Sequence, residues 1–145
     1  MDTNGNLFKD THRIIISIDF DGTIVQLNED VHSKNFVLLP YAKEVINWIY
    51  DNFHTILWTC RSGQVLQNAL DFLNANDIKI HTINENAPFL SFNTSRKIYY
   101  DHLFDDKVCN IDWLAIQKKL YDKYILSSLE DRLIQAFNDI FAIKD

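Results

Sequence analysis

Glycine, proline and cysteine are scarce in this sequence, with three, two and two residues among 145. So few glycines and prolines disfavour linkers, low-complexity segments and disordered arms. The two cysteines, Cys60 and Cys109, are too few for a disulfide framework, and no CxxC pair offers a zinc site. We therefore expect both thiols to be reduced.

Long apolar runs and an excess of positive charge are missing as well. No stretch approaches the roughly 20 apolar residues that cross a bilayer, and the polar segment 1–12 lacks the apolar core of a signal peptide. The formal net charge is −6, which disfavours general binding to nucleic acid or anionic lipid because phosphate groups are repelled at long range. These absences predict a cytoplasmic protein with no membrane partner.

What the sequence does contain is enough apolar material for one folded domain. Hydrophobic residues make up 47% of the chain and charged residues 23%, proportions that are typical of globular proteins. A length of 145 residues also fits one domain. We predict a flexible leader over 1–12 and a single domain over 13–145, of which 114–145 form a helical extension.

Apolar patterning predicts strands that alternate with helices. The β-branched run at 13–18 shows almost no alternation, which is typical of a strand covered on both faces in a parallel sheet. This order implies an α/β fold with a mostly parallel central sheet. The other predicted elements are a loop or small flap at 26–39, a helix at 40–52 with Pro40 in its first turn, a buried strand at 54–59, a helix from Ser62-Gly63 to about Asn76, an edge strand at 78–83, a polar loop at 84–96, and short strands near 100–104 and 107–109.

From Asp112 onward the pattern is helical and carries two apolar stripes. We expect both stripes to cover the core, and a partner interface is the alternative. The first stripe consists of Trp113, Ile116, Leu120 and Tyr124, and the second of Leu126, Leu129, Leu133, Phe137 and Ile140.

Two carboxylates follow the first predicted strand, in the run Ile18-Asp19-Phe20-Asp21-Gly22-Thr23. Ligands of open α/β sheets bind beyond the carboxyl ends of the strands. Asp19 and Asp21 are therefore placed to hold a divalent cation such as magnesium, or to act as nucleophile and acid/base. A strand end capped by acidic and turn-forming residues is the alternative, but the strand, the glycine and the threonine together favour a functional site.

Thr59 and Arg61 follow the next buried strand. The Thr59 hydroxyl and the amides of the following turn could donate to a phosphoryl oxygen, although threonine is also an ordinary strand residue. Arg61 would either clamp an anion or be a solvated loop charge. Cys60 has no histidine close in sequence to activate it, and we expect it to be a small core residue.

A lysine and an acidic doublet complete the candidate set. Lys97 follows a polar loop, and an ammonium fixed there would balance carboxylates and hold a phosphoryl group. A solvated surface lysine is the alternative, and Arg96 competes for the same role. Asp105 and Asp106 repel each other after an apolar strand, so either water on a surface turn or a metal ion must offset the repulsion.

In these segments the chain resembles the haloacid dehalogenase-like hydrolase superfamily. Asp19-Phe20-Asp21-Gly22-Thr23 resembles its first motif, Thr59 its second, Lys97 its third and Asp105-Asp106 its fourth. The resemblance covers about residues 13–113, and the part from Ser95 to Lys107 also resembles a compact, capless bacterial subgroup. It implies a three-layer Rossmann-like domain without a cap domain, to which the C-terminal helices are an addition.

The resemblance also implies a phosphatase reaction. Asp19 would attack phosphorus and form an aspartyl-phosphate, while Asp21 would protonate the leaving oxygen and then activate water. Thr59 and Lys97 would hold the phosphoryl oxygens, and Arg61 is a further candidate for substrate binding. Superfamily members that cleave carbon–halogen bonds or pump ions lack an acid at the position of Asp21.

The implied cofactor is Mg²⁺. Its ligands would be Asp19, the backbone carbonyl of Asp21, and Asp105, with Asp106 as a close second. A cation suits this chemistry, because phosphoryl transfer depends on positioning and on neutralisation of charge.

The segments where caps insert are short, at 26–39 and 84–96, so we expect an open site. An open site accepts a phosphorylated small molecule or polymer end, or is closed by a neighbouring subunit in a homo-oligomer. A phosphorylation-switch receiver domain fits poorly because its lysine comes last, and a sugar-transfer enzyme with Asp-x-Asp does not explain Lys97. An inactive binding module that uses its C-terminal helices as an interface is the remaining alternative.

Overall fold

In the computed structural model, which describes residues 10–142, four parallel strands form one sheet. The fold is α/β and Rossmann-like, as predicted, and the described residues include no cap domain. The strands are β1 (Ile15–Ile18), β2 (His54–Leu57), β3 (Thr82–Ile83) and β4 (His102–Phe104), in the order β3-β2-β1-β4. The helices are α1 (Ala42–Asn52), α2 (Gly63–Ala75), α3 (Trp113–Leu120) and α4 (Ser127–Ala142), and a π-helical segment, Tyr121–Leu126, joins the last two.

The central strand β1 is buried on both faces, as its unbroken apolar run predicts. Ile16 and Ile18 face the layer of helices, where the core residues of α1, α2 and α3 pack. Burial of each such side chain stabilises the fold by roughly 1.5–3 kcal/mol. The main buried helix residues are Val45, Ile46, Ile49, Ala69, Leu73, Trp113, Ile116 and Leu120.

The opposite face of the sheet is covered by irregular chain. Ala87 and Ile98 pack there on Ile15 and Ile56, and the segment 84–101 that carries them contains no helix or strand. The third layer of the domain is therefore an extended loop. The predicted polar loop at 84–96 forms most of it.

Two predicted strands differ from the structure. The edge strand expected at 78–83 is reduced to β3. The Lys79 N–H donates to Asn47 Oδ1 at 2.9 Å, and the Thr55 N–H of β2 donates to the His81 ring at 2.9 Å, so side chains replace two bonds of the ladder. The strand expected at 107–109 is a turn, in which the backbone N–H groups of Val108 and Cys109 both donate to the Asp105 carbonyl.

Two further boundaries also shift. The leader expected over 1–12 lies outside the described residues up to position 9, but Thr11–Arg13 form a short 3₁₀ helix that Asp10 caps. Pro40 is not in the first turn of α1, because the helix begins at Ala42 after Tyr41, which has a left-handed backbone conformation. The flap expected at 26–39 is confirmed as irregular chain.

The two C-terminal stripes have different outcomes. The first covers the core as predicted, with Trp113, Ile116 and Leu120 buried. The second does not, because no residue of α4 is buried. The expectation that this stripe covers the core is therefore wrong. Within 10–142, no helix combines the length and apolar character that a membrane crossing requires.

Candidate active site

Three strand ends place the candidate residues at one edge of the sheet. Asp19 directly follows β1, and its backbone N–H donates to the Phe104 carbonyl at the end of β4 at 3.0 Å. Asp105 is the next residue after β4, and Thr59 lies two residues beyond β2. Because all four strands are parallel, these positions share the carboxyl edge, where open α/β sheets bind their ligands.

Three carboxylates converge at this edge. Asp19, Asp105 and Asp106 each offer an oxygen, and these oxygens all lie within 4.8 Å of one another. Burial raises the pKa of Asp19 to about 6; the Phe20 N–H opposes this change, and the charges of Asp105, Asp106 and Asp21 add to it. The cluster therefore concentrates negative charge that a cation would neutralise.

One oxygen of the Asp106 carboxylate, Oδ1, is buried without a hydrogen-bond partner in the part of the chain that the structure describes. An unpaired buried carboxylate oxygen is costly unless a proton, a donor or a metal ion satisfies it. Together with the oxygens of Asp19 and Asp105, it forms a donor set that fits a hard divalent cation.

Gly22 and Thr23 hold Asp106 in this position. The Asp106 backbone N–H donates to Thr23 Oγ1 at 3.0 Å, and the Thr23 carbonyl in turn accepts from the Trp113 indole at 2.9 Å. Gly22 has a φ of +76°, and a Cβ atom there would lie 2.4 Å from Asp106 Oδ2. Gly22 leaves room for the Asp106 carboxylate, and Thr23 accepts the Asp106 backbone N–H, so both residues are needed for Asp106 to lie here.

Arg61 binds Asp21 inside the site. Its Nε and Nη2 atoms donate to the two Asp21 oxygens at 2.8 and 2.7 Å, and its guanidinium lies 5.3 Å from the ring centroids of both Phe20 and Phe36. The arginine is only 6% exposed. The alternative that it is a solvated loop charge is therefore wrong, and the anion that it clamps in this structure is Asp21.

Thr59 is part of a small polar turn. Its Oγ1 accepts from the Arg61 N–H at 3.1 Å, and its own N–H donates to Asn84 Oδ1 at 2.8 Å. Among the described residues, the Thr59 hydroxyl proton has no acceptor, so it is available to a ligand. Asn84 has a φ of +53°, a conformation that asparagine tolerates well, and sequence reasoning missed its role. Cys60 is exposed, so the expectation that it is a core residue is wrong.

Lys97 makes no ion pair with the carboxylates in the part of the chain that the structure describes. Lys97 and Arg96 are exposed on the loop that covers the second face, and over residues 10–142 no hydrogen bond or ion pair involves either side chain. Lys107 is a second cation in this region that sequence reasoning did not weigh, since the turn that carries it was assigned to a strand. It lines a cavity of about 500 Å³ with Gly22 and Asp106, and its N–H donates to Asp105 Oδ1 at 2.9 Å.

Comparison with known proteins supports the fold without naming an activity. No family model matches the chain, and no curated protein matches it. Among solved structures, a conserved protein coded by a locus of Bacteroides thetaiotaomicron superposes with a TM-score of 0.65 at 26% sequence identity. The match covers 81% of this chain and 97% of the other. The two proteins therefore share a fold.

Proposed function

We propose that this chain is a magnesium-dependent phosphomonoester hydrolase of the haloacid dehalogenase type. The observation that carries the proposal is the convergence of Asp19 with Asp105 and Asp106 at the carboxyl edge of the sheet, where Asp106 Oδ1 is buried without a partner among residues 10–142. Mg²⁺ bound by these carboxylates would supply the positive charge that phosphoryl transfer requires.

Asp19 is the proposed nucleophile. Its carboxylate attacks phosphorus, the bond between phosphorus and the ester oxygen breaks, and an aspartyl-phosphate forms. Asp19 suits this role because it is partly buried at the end of a fully buried strand, and its backbone is fixed by the β4 ladder. Its raised pKa also means that the free carboxylate is poorly stabilised before a cation binds.

Asp21 is the proposed acid and base. It gives a proton to the departing ester oxygen and then takes one from the water that attacks phosphorus, so that the bond between phosphorus and the Asp19 oxygen breaks and inorganic phosphate leaves. Both Asp21 oxygens are bonded to Arg61, so one of them must leave the guanidinium to face the ester oxygen. Asp21 is the more exposed partner, with 32% of its side chain accessible against 4% for Arg61, which makes it the side chain that moves.

Thr59 and a lysine are the proposed phosphoryl contacts. The Thr59 hydroxyl lies beside the turn amides after β2, and its proton has no acceptor within residues 10–142, so it can bind a phosphoryl oxygen. For the cation we propose Lys97, the position that the family resemblance implies. Lys107 is the competing candidate because it already lines the cavity beside Asp106.

The site is open, so the substrate class stays broad. The described residues have no cap, and the cavity beside Asp106 is lined by both polar and apolar residues. A phosphorylated small molecule and a phosphorylated polymer end both fit such an opening. The two free cysteines, one of them exposed, suit the reducing cytoplasm that the sequence predicts.

The test is hydrolysis of an aryl phosphate by the purified chain. We expect turnover with added Mg²⁺ and none with EDTA, and we expect Asp19→Asn to abolish it because the nucleophile is lost. Asp71→Asn, a matched change at an exposed carboxylate of α2, should leave the rate unchanged. Full activity in Asp19→Asn would overturn the mechanism, and no activity with any phosphate ester would favour the binding-module alternative.

A further inference from the structure

α4 carries a broad apolar face that the described chain leaves largely exposed. Its six large apolar side chains are each between 42% and 71% exposed, and the rings of two of them, Phe137 and Phe141, lie 4.5 Å apart. The six residues are Leu129, Leu133, Ile134, Phe137, Ile140 and Phe141.

The area of this face is large for a monomer. These exposures amount to roughly 600 Å², whereas the largest apolar patch on a typical monomer is about 300–600 Å². A stable interface buries about 800 Å² on each partner. The α4 face therefore supplies part of the area that a stable dimer needs.

We propose that α4 is a self-association surface, on which the α4 helix of a second copy packs antiparallel. The residues that would form the seam are Leu129, Leu133, Ala136 and Ile140, whose spacings of four, three and four are those of a coiled-coil repeat. In an antiparallel pair, Leu129 packs against Ile140 of the other copy and Leu133 against Ala136. Two-fold symmetry repeats each of these contacts.

The charges beside the seam fit this antiparallel register. Arg132 and Asp139 occupy the same flanking position of successive repeats, so each arginine lies beside the aspartate of the other copy. Symmetry makes two such ion pairs. In a parallel pair, Arg132 would instead face Phe137, and the aspartate would lose this partner.

The same charges argue against a lipid surface as the occupant. Glu130, Asp131 and Asp139 outnumber Arg132 on α4, whereas helices that bind anionic membranes carry basic polar faces. A second copy needs no such basic face. The inference is independent of the proposed phosphatase activity, because its readout is molecular mass.

The first test is sedimentation equilibrium of the full chain. We expect a concentration-dependent dimer for the wild type and a monomer for Leu133→Asp, which introduces a charge into the seam. Asn138→Asp adds the same charge to the polar face of α4 and should remain dimeric. A wild-type monomer across micromolar concentrations, or a dimer that Leu133→Asp leaves intact, would overturn the proposal.

The second test uses charge exchange to check the register. Arg132→Asp and Asp139→Arg should each raise the dimer dissociation constant about tenfold, because each turns two attractive pairs into repulsive ones. Mixing the two variants should restore association, since the aspartate introduced in one variant then lies beside the arginine introduced in the other, and the two native side chains also pair. Weak association in the mixture would overturn the antiparallel arrangement.

Discussion

The Arg61 guanidinium binds both carboxylate oxygens of Asp21, although 40 residues separate the two in sequence. The Arg61 Nη1 atom also donates to the Val31 carbonyl in the flap at 3.2 Å and to the Val65 carbonyl of α2 at 3.0 Å. A buried cation thus joins the proposed acid/base to two separate parts of the chain. Its loss would remove a donor from one carboxylate and from two carbonyls.

Arg61→Ala should therefore destabilise the fold by about 2–4 kcal/mol. Arg61→Lys keeps the charge but cannot make two parallel bonds, so we expect intermediate stability and a kcat more than about tenfold below wild type. Urea unfolding and phosphatase kinetics measure the two effects, and Arg96→Ala serves as the control at an exposed arginine. Wild-type kcat in Arg61→Lys would mean that the paired bonds do not position Asp21.

Gly22 gives a second prediction, with Gly63 as its matched control. An alanine Cβ at position 22 would collide with the Asp106 carboxylate, whereas at position 63 it meets no described atom within 4 Å. Both glycines have positive φ, so each substitution carries a strain of about 1 kcal/mol. Only Gly22→Ala should also raise the Mg²⁺ requirement and lower kcat. Equal metal dependence in both variants would contradict the role given to Gly22.

The phosphoryl-binding cation is tested by comparing Lys97→Met with Lys107→Met. Methionine removes the charge and keeps most of the length, so packing changes little. We expect kcat/KM of an aryl phosphate to fall about 10²–10³-fold in Lys97→Met, the usual value of one lost oxyanion contact, and only a few-fold in Lys107→Met. The reverse order would assign the role to Lys107, which already lines the cavity beside Asp106.

The parts of the fold that the sequence predicts well are those where burial sets the pattern. The unbroken apolar run of β1 and the helical period of α2 both report which side chains are buried, and both elements lie where predicted. β3 is shorter than predicted because Lys79 bonds to the Asn47 side chain instead of continuing the ladder. Such a side-chain bond leaves no periodic signal in the sequence.

The residues of the candidate site also differ in how well the sequence predicts their positions. Asp19 and Asp105 were predictable as neighbours, because parallel strands end at the same edge of a sheet. The bond between Arg61 and Asp21 was not, since it depends on how the loops after two strands fold towards each other. The exposed face of α4 corresponds to the alternative and not to the expectation, because an apolar stripe has the same spacing whether the core or another chain covers it.

The raised pKa of Asp19 predicts how stability depends on pH when no divalent cation is present. Burial, with smaller effects from neighbouring carboxylates, moves this pKa from 3.8 to about 6. The stability that protonation contributes is therefore complete below pH 3.8 and is lost as the pH rises through 6. His54 acts in the opposite direction: burial and His81 lower its pKa from 6.5 to about 4, so its contribution is gained as the pH rises through the same window.

Asp19→Asn removes the pH dependence of stability that comes from Asp19 and leaves the pH dependence that comes from His54. In EDTA, the variant should gain stability over the wild type as the pH rises from about 4 to about 7.5, by about 1 kcal/mol after allowance for the partial exposure of Asp19. His54 is present in both proteins and cancels from this difference. Mg²⁺ added at the higher pH should then reverse the order, because a bound cation favours the ionised carboxylate of the wild type. Urea titrations at both pH values measure these differences. If the difference in free energy of unfolding between variant and wild type does not change with pH or Mg²⁺, then the Asp19 pKa is not raised by its surroundings and Asp19 is not a metal ligand.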